Sequence, residues 1–287
     1  MMWRDGQVIE GTRAPLDHAD RGLTLGDGLF DTALAIGGRI AFESEHLDRL
    51  VAGAGALGIP ADARTIRGAM RDLAERGPRL AIRTTLTRGT GPRGLRLPET
   101  PRPTLFATAS PSGRPIAFAP LRLWPTGIAR NDTSPAARLK TLGYLDAVIA
   151  AGEAAREGFD EALFCNTKGL VACAGTGNLF CVMGDGGHST LLTPPLSDGI
   201  LPGIVRAQLL ALAPAQGLAV EERSLTLTDL RAAQAVFVTN SLRLMAPVTA
   251  VGETAYDSPG HPAFQRLRDA LREAVARACG VPPEEVA

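Results

Sequence analysis

The spacing of apolar residues along the chain changes repeatedly between a helical and an extended period. Leu47, Leu50 and Val51 share one helical face, and Ser44 is a suitable N-cap, so the pattern predicts a helix over Glu45–Leu57. Alternating and β-branched residues predict a strand over Arg79–Thr87. The same part of the chain is predicted to hold strands at Gln7–Glu10, Arg39–Glu43 and Pro103–Ala109 and a helix at Asp62–Glu75.

A segment with two prolines and one glycine, Ser110–Pro115, is the candidate linker to the second part of the chain. Strands and helices do not alternate strictly, which favours two α+β domains over a doubly wound sheet. We place a small N-terminal domain at residues 1–112, the linker at 113–119 and a larger C-terminal domain at 120–287. The second part is predicted to hold strands at Ile116–Trp124, Glu161–Asn166, Leu170–Cys173, Leu179–Met183 and Ala235–Thr239, and helices at Leu142–Glu157, Pro202–Leu212 and Pro262–Ala278.

Composition excludes several classes of protein. The 287 residues are 45% hydrophobic and carry no formal net charge, so they can fill real cores and predict neither a nucleic-acid nor a membrane partner. Apolar stretches fall short of the roughly 20 residues that a membrane helix needs. Met1–Gly11 mixes both charges and does not resemble a signal peptide, so we expect a cytoplasmic protein.

The four cysteines predict neither a metal site nor a disulfide framework. They contain no C-x-x-C spacing, and the histidines lie far from them in sequence. We expect buried thiols in a reducing compartment. The four are Cys165, Cys173, Cys181 and Cys279.

Lysine is rare in this chain, because only Lys140 and Lys168 occur among thirty basic residues. Arg can replace Lys wherever a positive charge suffices, but a guanidinium cannot form an imine with an aldehyde. Lys140 is flanked by apolar residues just before a predicted helix, where a partly desolvated amine is a good nucleophile. Lys168 stands in a predicted hairpin turn and is interpreted as an exposed charge.

Three separate places along the chain offer donors for an anion such as phosphate. Gly203-Ile204-Val205 follows Pro202 at a predicted helix start, where backbone N–H groups and the helix dipole favour an anion. Thr239-Asn240-Ser241 ends a predicted strand and offers hydroxyl, amide and backbone donors. Arg49, on the first predicted helix, can bind a phosphate with two hydrogen bonds.

The order and spacing of several segments resemble the class IV aminotransferases, the fold-type IV family of pyridoxal 5'-phosphate (PLP) enzymes. The family includes branched-chain and D-amino-acid aminotransferases and aminodeoxychorismate lyase. The resemblance implies a two-domain α+β architecture like that of D-amino-acid aminotransferase, with a small N-terminal α/β domain and a larger C-terminal domain. It extends from about Gly22 to Val251, and the segments that carry it are Arg21–Phe30, Glu45–Leu50, Leu139–Leu145, Gly158–Ala162, Gly177–Phe180, Gly199–Arg206 and Thr239–Leu242.

The resemblance also implies roles for individual residues. Lys140 falls on the lysine that binds PLP as a Schiff base, and Arg49 on the arginine that binds its phosphate. Phe30 falls on an aromatic position beside the cofactor, Tyr144 near the phenolic oxygen, and Asn178 on a supporting position. Two further pairs fall on the two phosphate cups: Ile204 with Val205, and Asn240 with Ser241.

One position departs from the family pattern. Members carry a Glu five residues before the position of Asn178, and this Glu contacts the pyridine nitrogen; here the residue is Cys173. A carboxylate keeps that nitrogen protonated, which a neutral thiol does less well. Either the chemistry needs less electron withdrawal, or Glu161 or a water molecule substitutes, or catalysis is weak; Cys173 can also be a small core residue.

The expected activity is a class IV aminotransferase that moves an amino group between an amino acid or amine and a 2-oxo acid. Aminodeoxychorismate lyase, which yields p-aminobenzoate and pyruvate, is the alternative, and a PLP-binding protein with little turnover is a third reading because of Cys173. Arg138 and Arg243 are candidates for the substrate carboxylate. The resemblance implies a homodimer.

Overall fold

The computed structural model describes residues 1–185 and 188–287 and divides into two compact units. The first comprises Met1–Gly113, Leu139–Gly143 and Val275–Val286; the second comprises Arg114–Arg138, Tyr144–Ala274 and Ala287. Both combine helices and strands, which agrees with the predicted α+β class. The predicted boundaries differ, because residues 139–143 and 275–286 pack with the first unit rather than with the remainder of the C-terminal part.

In the described residues, the first unit is built on a six-stranded sheet with the order β2-β1-β6-β5-β3-β4. Its adjacent strands pair antiparallel throughout. The strands are β1 Met2–Arg4, β2 Gln7–Ile9, β3 Gly28–Ile36, β4 Arg39–Ile40, β5 Arg79–Thr87 and β6 Thr104–Pro111.

The first unit contains the helices α1 (Arg21–Leu25), α2 (Glu43–Ala56) and α3 (Ala63–Ala74). Helices α2 and α3 cover its core. Leu47 and Leu50 of α2 and Leu73 of α3 are buried in the same cluster as Leu29 of β3. Asp62 caps α3, accepting a hydrogen bond from Arg64 N at 3.0 Å. The predicted Ser44 cap of α2 is wrong, because that helix begins at Glu43 after Phe42 takes a left-handed conformation.

A nine-stranded sheet forms the second unit within the described residues, with the path β12-β11-β10-β13-β14-β7-β8-β9 and β15 paired to β14. Strand β9 also pairs with β10, so the strand path closes on itself. Pairings of β7 with β14 and β8, and of β11 with β12, are parallel. The strands are β7 Leu121–Pro125, β8 Glu161–Cys165, β9 Val171–Ala174, β10 Asn178–Asp185, β11 His188–Thr193, β12 Ala219–Glu222, β13 Ala235–Asn240, β14 Leu244–Val251 and β15 Thr254–Ala255.

Three of the remaining helices correspond to predicted ones: α4 Leu145–Arg156, α5 Ile204–Leu212 and α7 Pro262–Cys279. The short helix α6, Leu227–Ala232, lies between β12 and β13. Aromatic residues anchor the core of the second unit: Phe180 stacks on Phe237 at 5.4 Å between ring centroids, and Phe237 meets Phe264 edge-on at 5.8 Å. Across residues 1–185 and 188–287, no helix combines the length and apolarity that crossing a bilayer requires.

Candidate functional site

Lys140 lies in a short extended segment of the first unit that is hydrogen-bonded to strand β3. Its carbonyl accepts a hydrogen bond from Phe30 N at 2.9 Å, and Leu142 N donates to Gly28 O at 3.1 Å. These bonds use backbone groups that a helix would need, so helix α4 begins at Leu145 and not at the predicted Leu142. The main chain from Lys140 to Leu142 is therefore held by the sheet.

The side chain of Lys140 lies against the aromatic ring of Phe30. Lys140 Nζ is 4.5 Å from the centroid of the Phe30 ring, and Arg83 Cζ is 3.4 Å from the same centroid. Phe30 is 5% exposed and Lys140 is partly buried, so the ring shields the amine from water on that side. Arg83 gave no signal in the sequence, because its position depends on the pairing of β5 with β3.

Arg49, the predicted phosphate arginine, is held by a buried carboxylate that sequence reasoning missed. Asp31 Oδ2 accepts a hydrogen bond from Arg49 Nε at 2.8 Å and forms an ion pair with Arg49 Nη2, also at 2.8 Å. Asp31 Oδ1 lies 2.5 Å from His46 Nδ1. Burial alone would raise the pKa of Asp31, but His46 and Arg49 outweigh it and lower that pKa below its ordinary value. The carboxylate is thus ionised at neutral pH, and His46 Nδ1 donates to it.

In the second unit, Asn178 links the places where the sequence predicts the two phosphate cups. It begins β10 and pairs with Thr239 of β13 on one side and Cys173 of β9 on the other. Its side-chain Nδ2 donates to Leu201 O at 2.9 Å, which fixes the loop before α5. The start of α5, the turn after Thr239 and Cys173 are therefore all adjacent to Asn178, which agrees with its predicted supporting position.

The first turn of α5 begins at Ile204 after Gly203, as the anion-site prediction requires. A Cβ at Gly203 would meet Asn178 Oδ1 at 1.9 Å. Only glycine leaves this approach open, so the loop passes close to Asn178 and presents the amides of Ile204 and Val205. This close approach fits a cradle for phosphate at the helix start.

The turn after β13 is closed by the side chain of Asn240, whose Oδ1 accepts from Leu242 N at 3.0 Å and Arg243 N at 2.8 Å. That oxygen therefore shapes the turn, and Ser241 lies within it, partly buried. Thr239 Oγ1 is buried and makes no hydrogen bond to any residue in the described ranges. A buried hydroxyl without a partner is costly, and a phosphate oxygen would satisfy it.

Cys173 occupies a position next to an arginine and a carboxylate. Arg130, whose guanidinium lies 4.0 Å from the centroid of the Phe164 ring, is close enough to Cys173 to act on the thiol electrostatically. Burial raises the pKa of the Cys173 thiol, Arg130 opposes that rise and Glu161 adds to it. The thiol is therefore neutral near pH 7, and the neighbouring cation of Arg130 was not revealed by the sequence.

The side chain of Glu161, considered above as a substitute acid, is hydrogen-bonded to the loop after β9. Its Oε1 accepts from Thr176 N at 2.5 Å and Thr176 Oγ1 at 2.8 Å. Burial raises the pKa of Glu161, and the bonds from Thr176 and the charge of Arg243 offset only part of that rise. This carboxyl therefore holds the Gly175–Thr176 loop in place.

The three remaining predicted residues also lie in the second unit. Arg138 donates to Leu196 O at 3.0 Å and to Asp132 O at 3.3 Å, so much of its guanidinium is bound to backbone carbonyls. Arg243 is partly buried near Glu161 and remains the better candidate for a carboxylate. Tyr144 is the partly buried N-cap residue of α4. The described residues contain no cluster of potential metal ligands.

Comparisons with known proteins bear on this arrangement. A family description, amino-transferase class IV, matches residues 28–251. The chain is 33% identical over 257 residues to a putative branched-chain-amino-acid aminotransferase of Methanocaldococcus jannaschii, covering 86% of each. It is 30% identical to the solved structure of a putative 4-amino-4-deoxychorismate lyase from Legionella pneumophila, with a TM-score of 0.83, covering 93% of this chain and 98% of that one.

The fold is also that of the branched-chain aminotransferase of Thermoproteus uzoniensis, with a TM-score of 0.86 at 24% identity, covering 96% of this chain and 95% of that one. The matched segment contains each predicted cofactor residue from Phe30 to Ser241. The predicted family is therefore confirmed: the chain belongs to the class IV aminotransferases, the enzymes whose cofactor is pyridoxal 5'-phosphate.

Proposed function

We propose that the protein is an aminotransferase in which Lys140 binds PLP as a Schiff base. The observation that carries the proposal is the placement of Lys140 Nζ, 4.5 Å from the Phe30 ring on a main chain fixed by β3. Bound PLP supplies an aldehyde that reacts with amines and a ring that accepts electrons from the substrate α-carbon. With PLP bound, Lys140 Nζ would act as the general base that takes the substrate α-proton and as the acid that delivers a proton to the cofactor carbon.

Other residues of the chain bind the cofactor and the substrate in this proposal. The family resemblance assigns the phosphate to Arg49 and to donors at the start of α5 and in the turn after β13. Arg243 is the better-placed candidate for the substrate carboxylate, and Arg138 remains a weaker one because its donors already bind carbonyls. The groups that we assign to the phosphate are Ile204 N, Val205 N, Thr239 Oγ1 and the donors in the turn of Asn240 and Ser241.

The test is a half-reaction followed by absorbance, with D- and L-amino acids and aromatic amines as donors. An aminotransferase converts its bound cofactor to the pyridoxamine form with at least one donor, and a 2-oxo acid restores the original spectrum. If no donor changes the spectrum of a correctly folded, PLP-loaded protein, the aminotransferase proposal is wrong.

A second candidate is aminodeoxychorismate lyase, favoured by the 30% identity to the Legionella structure described above. The same lysine would remove the same proton, after which elimination would give p-aminobenzoate and pyruvate. Incubation with aminodeoxychorismate separates the two activities. Release of both products without an oxo-acid acceptor would establish the lyase.

The substitution Cys173→Glu should accelerate the half-reaction about tenfold. A carboxylate at this position, next to Arg130, would keep a proton on the pyridine nitrogen. One charged hydrogen bond is worth about 1.5–3 kcal/mol, which sets the expected size of the effect. Single-turnover absorbance measures the rate, and Cys173→Ser, which adds no acid, is the matched control. A Cys173→Glu protein slower than Cys173→Ser would contradict this view of the position.

We propose that the chain forms a homodimer through an apolar face of α4. Leu145, Val148 and Ile149 are 70%, 64% and 47% exposed and stand at helical spacing on one side. Val148→Glu should shift the molar mass measured by light scattering from that of a dimer towards that of a monomer. A wild-type protein that is monomeric at every concentration tested would contradict the proposal.

A cytoplasmic location is the last element that we propose. All four cysteines are free, as expected of a protein kept in a reducing compartment. Fractionation of cells followed by immunoblotting tests it.

A further inference from the structure

A buried group of three side chains in the first unit connects β3 to α2. Asp31 is 2% exposed and His46 is 1% exposed, and Arg49 follows His46 by one turn of α2. The Arg49 side chain is 14% exposed, so it reaches the edge of this buried region. Such a site is unusual, because an ionised carboxylate so deeply buried needs every oxygen paired.

The geometry pairs both oxygens of Asp31. Oδ1 receives His46 Nδ1 at 2.5 Å, while Oδ2 receives both Arg49 Nε and Nη2 at 2.8 Å. Contacts through Nε and Nη2 use one edge of the planar guanidinium and fix the direction of its opposite edge. A guanidinium with no such partner would sample several rotamers and bind an anion less well.

We propose that Asp31 is a positioning residue, which orients the Arg49 guanidinium towards the phosphate group of the cofactor, and that His46 holds Asp31 for this task. The inference rests on the proposed function, because that proposal assigns Arg49 to the phosphate. Asp31 itself touches no phosphate, since two anions repel. Its contribution is the orientation of Arg49 and the balance of charge within the buried group.

The experiment compares the dissociation constants of PLP and of pyridoxal, which lacks the phosphate, for each protein. The ratio of the two constants isolates the phosphate contribution. Arg49→Gln should reduce the preference for PLP by about 10- to 100-fold, the range that one charged hydrogen bond confers. Asp31→Asn should reduce it about tenfold while pyridoxal affinity changes less than about twofold.

The chain offers a matched control on the same helix. Glu43 begins α2 and pairs with Arg71, whose side chain is 61% exposed. Glu43→Gln removes an arginine–carboxylate ion pair that lies outside the buried group. The preference for PLP should therefore stay at the wild-type value. A loss in Glu43→Gln equal to that in Asp31→Asn would overturn the inference, because any weakened α2 would then have the same effect.

A second pair of variants keeps the test decisive if Asp31→Asn folds poorly. His46→Asn retains an N–H donor for Asp31 and should keep most of the preference, whereas His46→Leu should lose it. The ³¹P resonance of bound PLP gives a further readout: in wild type it should not titrate near the second pKa of about 6 of a free phosphate, and in His46→Leu it should.

The possible failures are distinguishable. If Arg49→Gln loses the preference for PLP while Asp31→Asn and His46→Leu both keep it, Arg49 binds phosphate without help and the inference is overturned. If Arg49→Gln itself keeps the wild-type preference, the assignment of Arg49 to the phosphate is overturned, and the inference falls with it.

Discussion

Lys140→Arg should abolish the visible absorbance that PLP gives when it is bound through an imine, and with it turnover. Arginine keeps a positive charge beside the Phe30 ring but cannot condense with an aldehyde. The loss of the general base alone should lower the rate by about 10²- to 10⁴-fold. The fold should persist, because the contact with β3 runs through the Lys140 carbonyl, which Arg also provides.

The other lysine of the chain is the matched control. Lys168 Nζ lies 3.1 Å from Asp132 Oδ2 with its side chain 63% exposed, a surface pairing that Arg can reproduce. Lys168→Arg should therefore keep the colour, the bond reducible by borohydride and the activity of the wild type. Trypsin digestion and mass spectrometry after borohydride reduction would identify the modified residue. A reduced adduct that survives in Lys140→Arg would refute the central assignment.

The contrast between the two lysines was accessible from sequence, since both the rarity of lysine and the family pattern pointed to Lys140. The position of its side chain depended on β3, which sequence patterns did not predict. Gly28–Ile36 is buried on both faces, with only Thr32 partly exposed, and so it shows no alternation. Strand β14, equally apolar, was missed for the same reason.

The missed strand explains the missed residues. His46 and Arg49 share a helical face that the sequence could reveal, but their partner Asp31 comes from β3 and lies 15 to 18 residues away. Arg130 likewise reaches Cys173 only because residues far apart in the chain are brought together within the second unit. Local spacing carries information about elements, whereas ion pairs between elements require the tertiary pairing.

Parts of the candidate site that lie within one short segment of the chain were predicted better. The start of α5 carries Pro202, Gly203 and the following amides within four residues, and the structure places them as the sequence indicated, with α5 beginning at Ile204 instead of Pro202. What the sequence did not reveal is why position 203 must be glycine. Its backbone is at φ −73 and ψ 137, which any residue adopts, so the requirement is spatial.

Gly203→Ala should weaken PLP binding by about 10- to 100-fold with little effect on the affinity for pyridoxal. The new Cβ would fall 1.9 Å from Asn178 Oδ1, which cannot move freely because its Nδ2 binds Leu201 O. The loop must shift, and the amides of Ile204 and Val205 shift with it. Losing one charged hydrogen bond costs about 1.5–3 kcal/mol, and 1.4 kcal/mol is tenfold in affinity.

Two companion variants separate this clash from a general effect of the added methyl group. Gly68→Ala, in the interior of α3 with no atom within 4 Å of the new Cβ, should stabilise the protein by about 0.5–1 kcal/mol and leave PLP binding unchanged. Asn178→Ala removes the atom that Gly203→Ala would strike. In a double-mutant cycle, the two substitutions together should therefore cost no more affinity than Asn178→Ala alone, and additive losses would show that Gly203 acts by some other route.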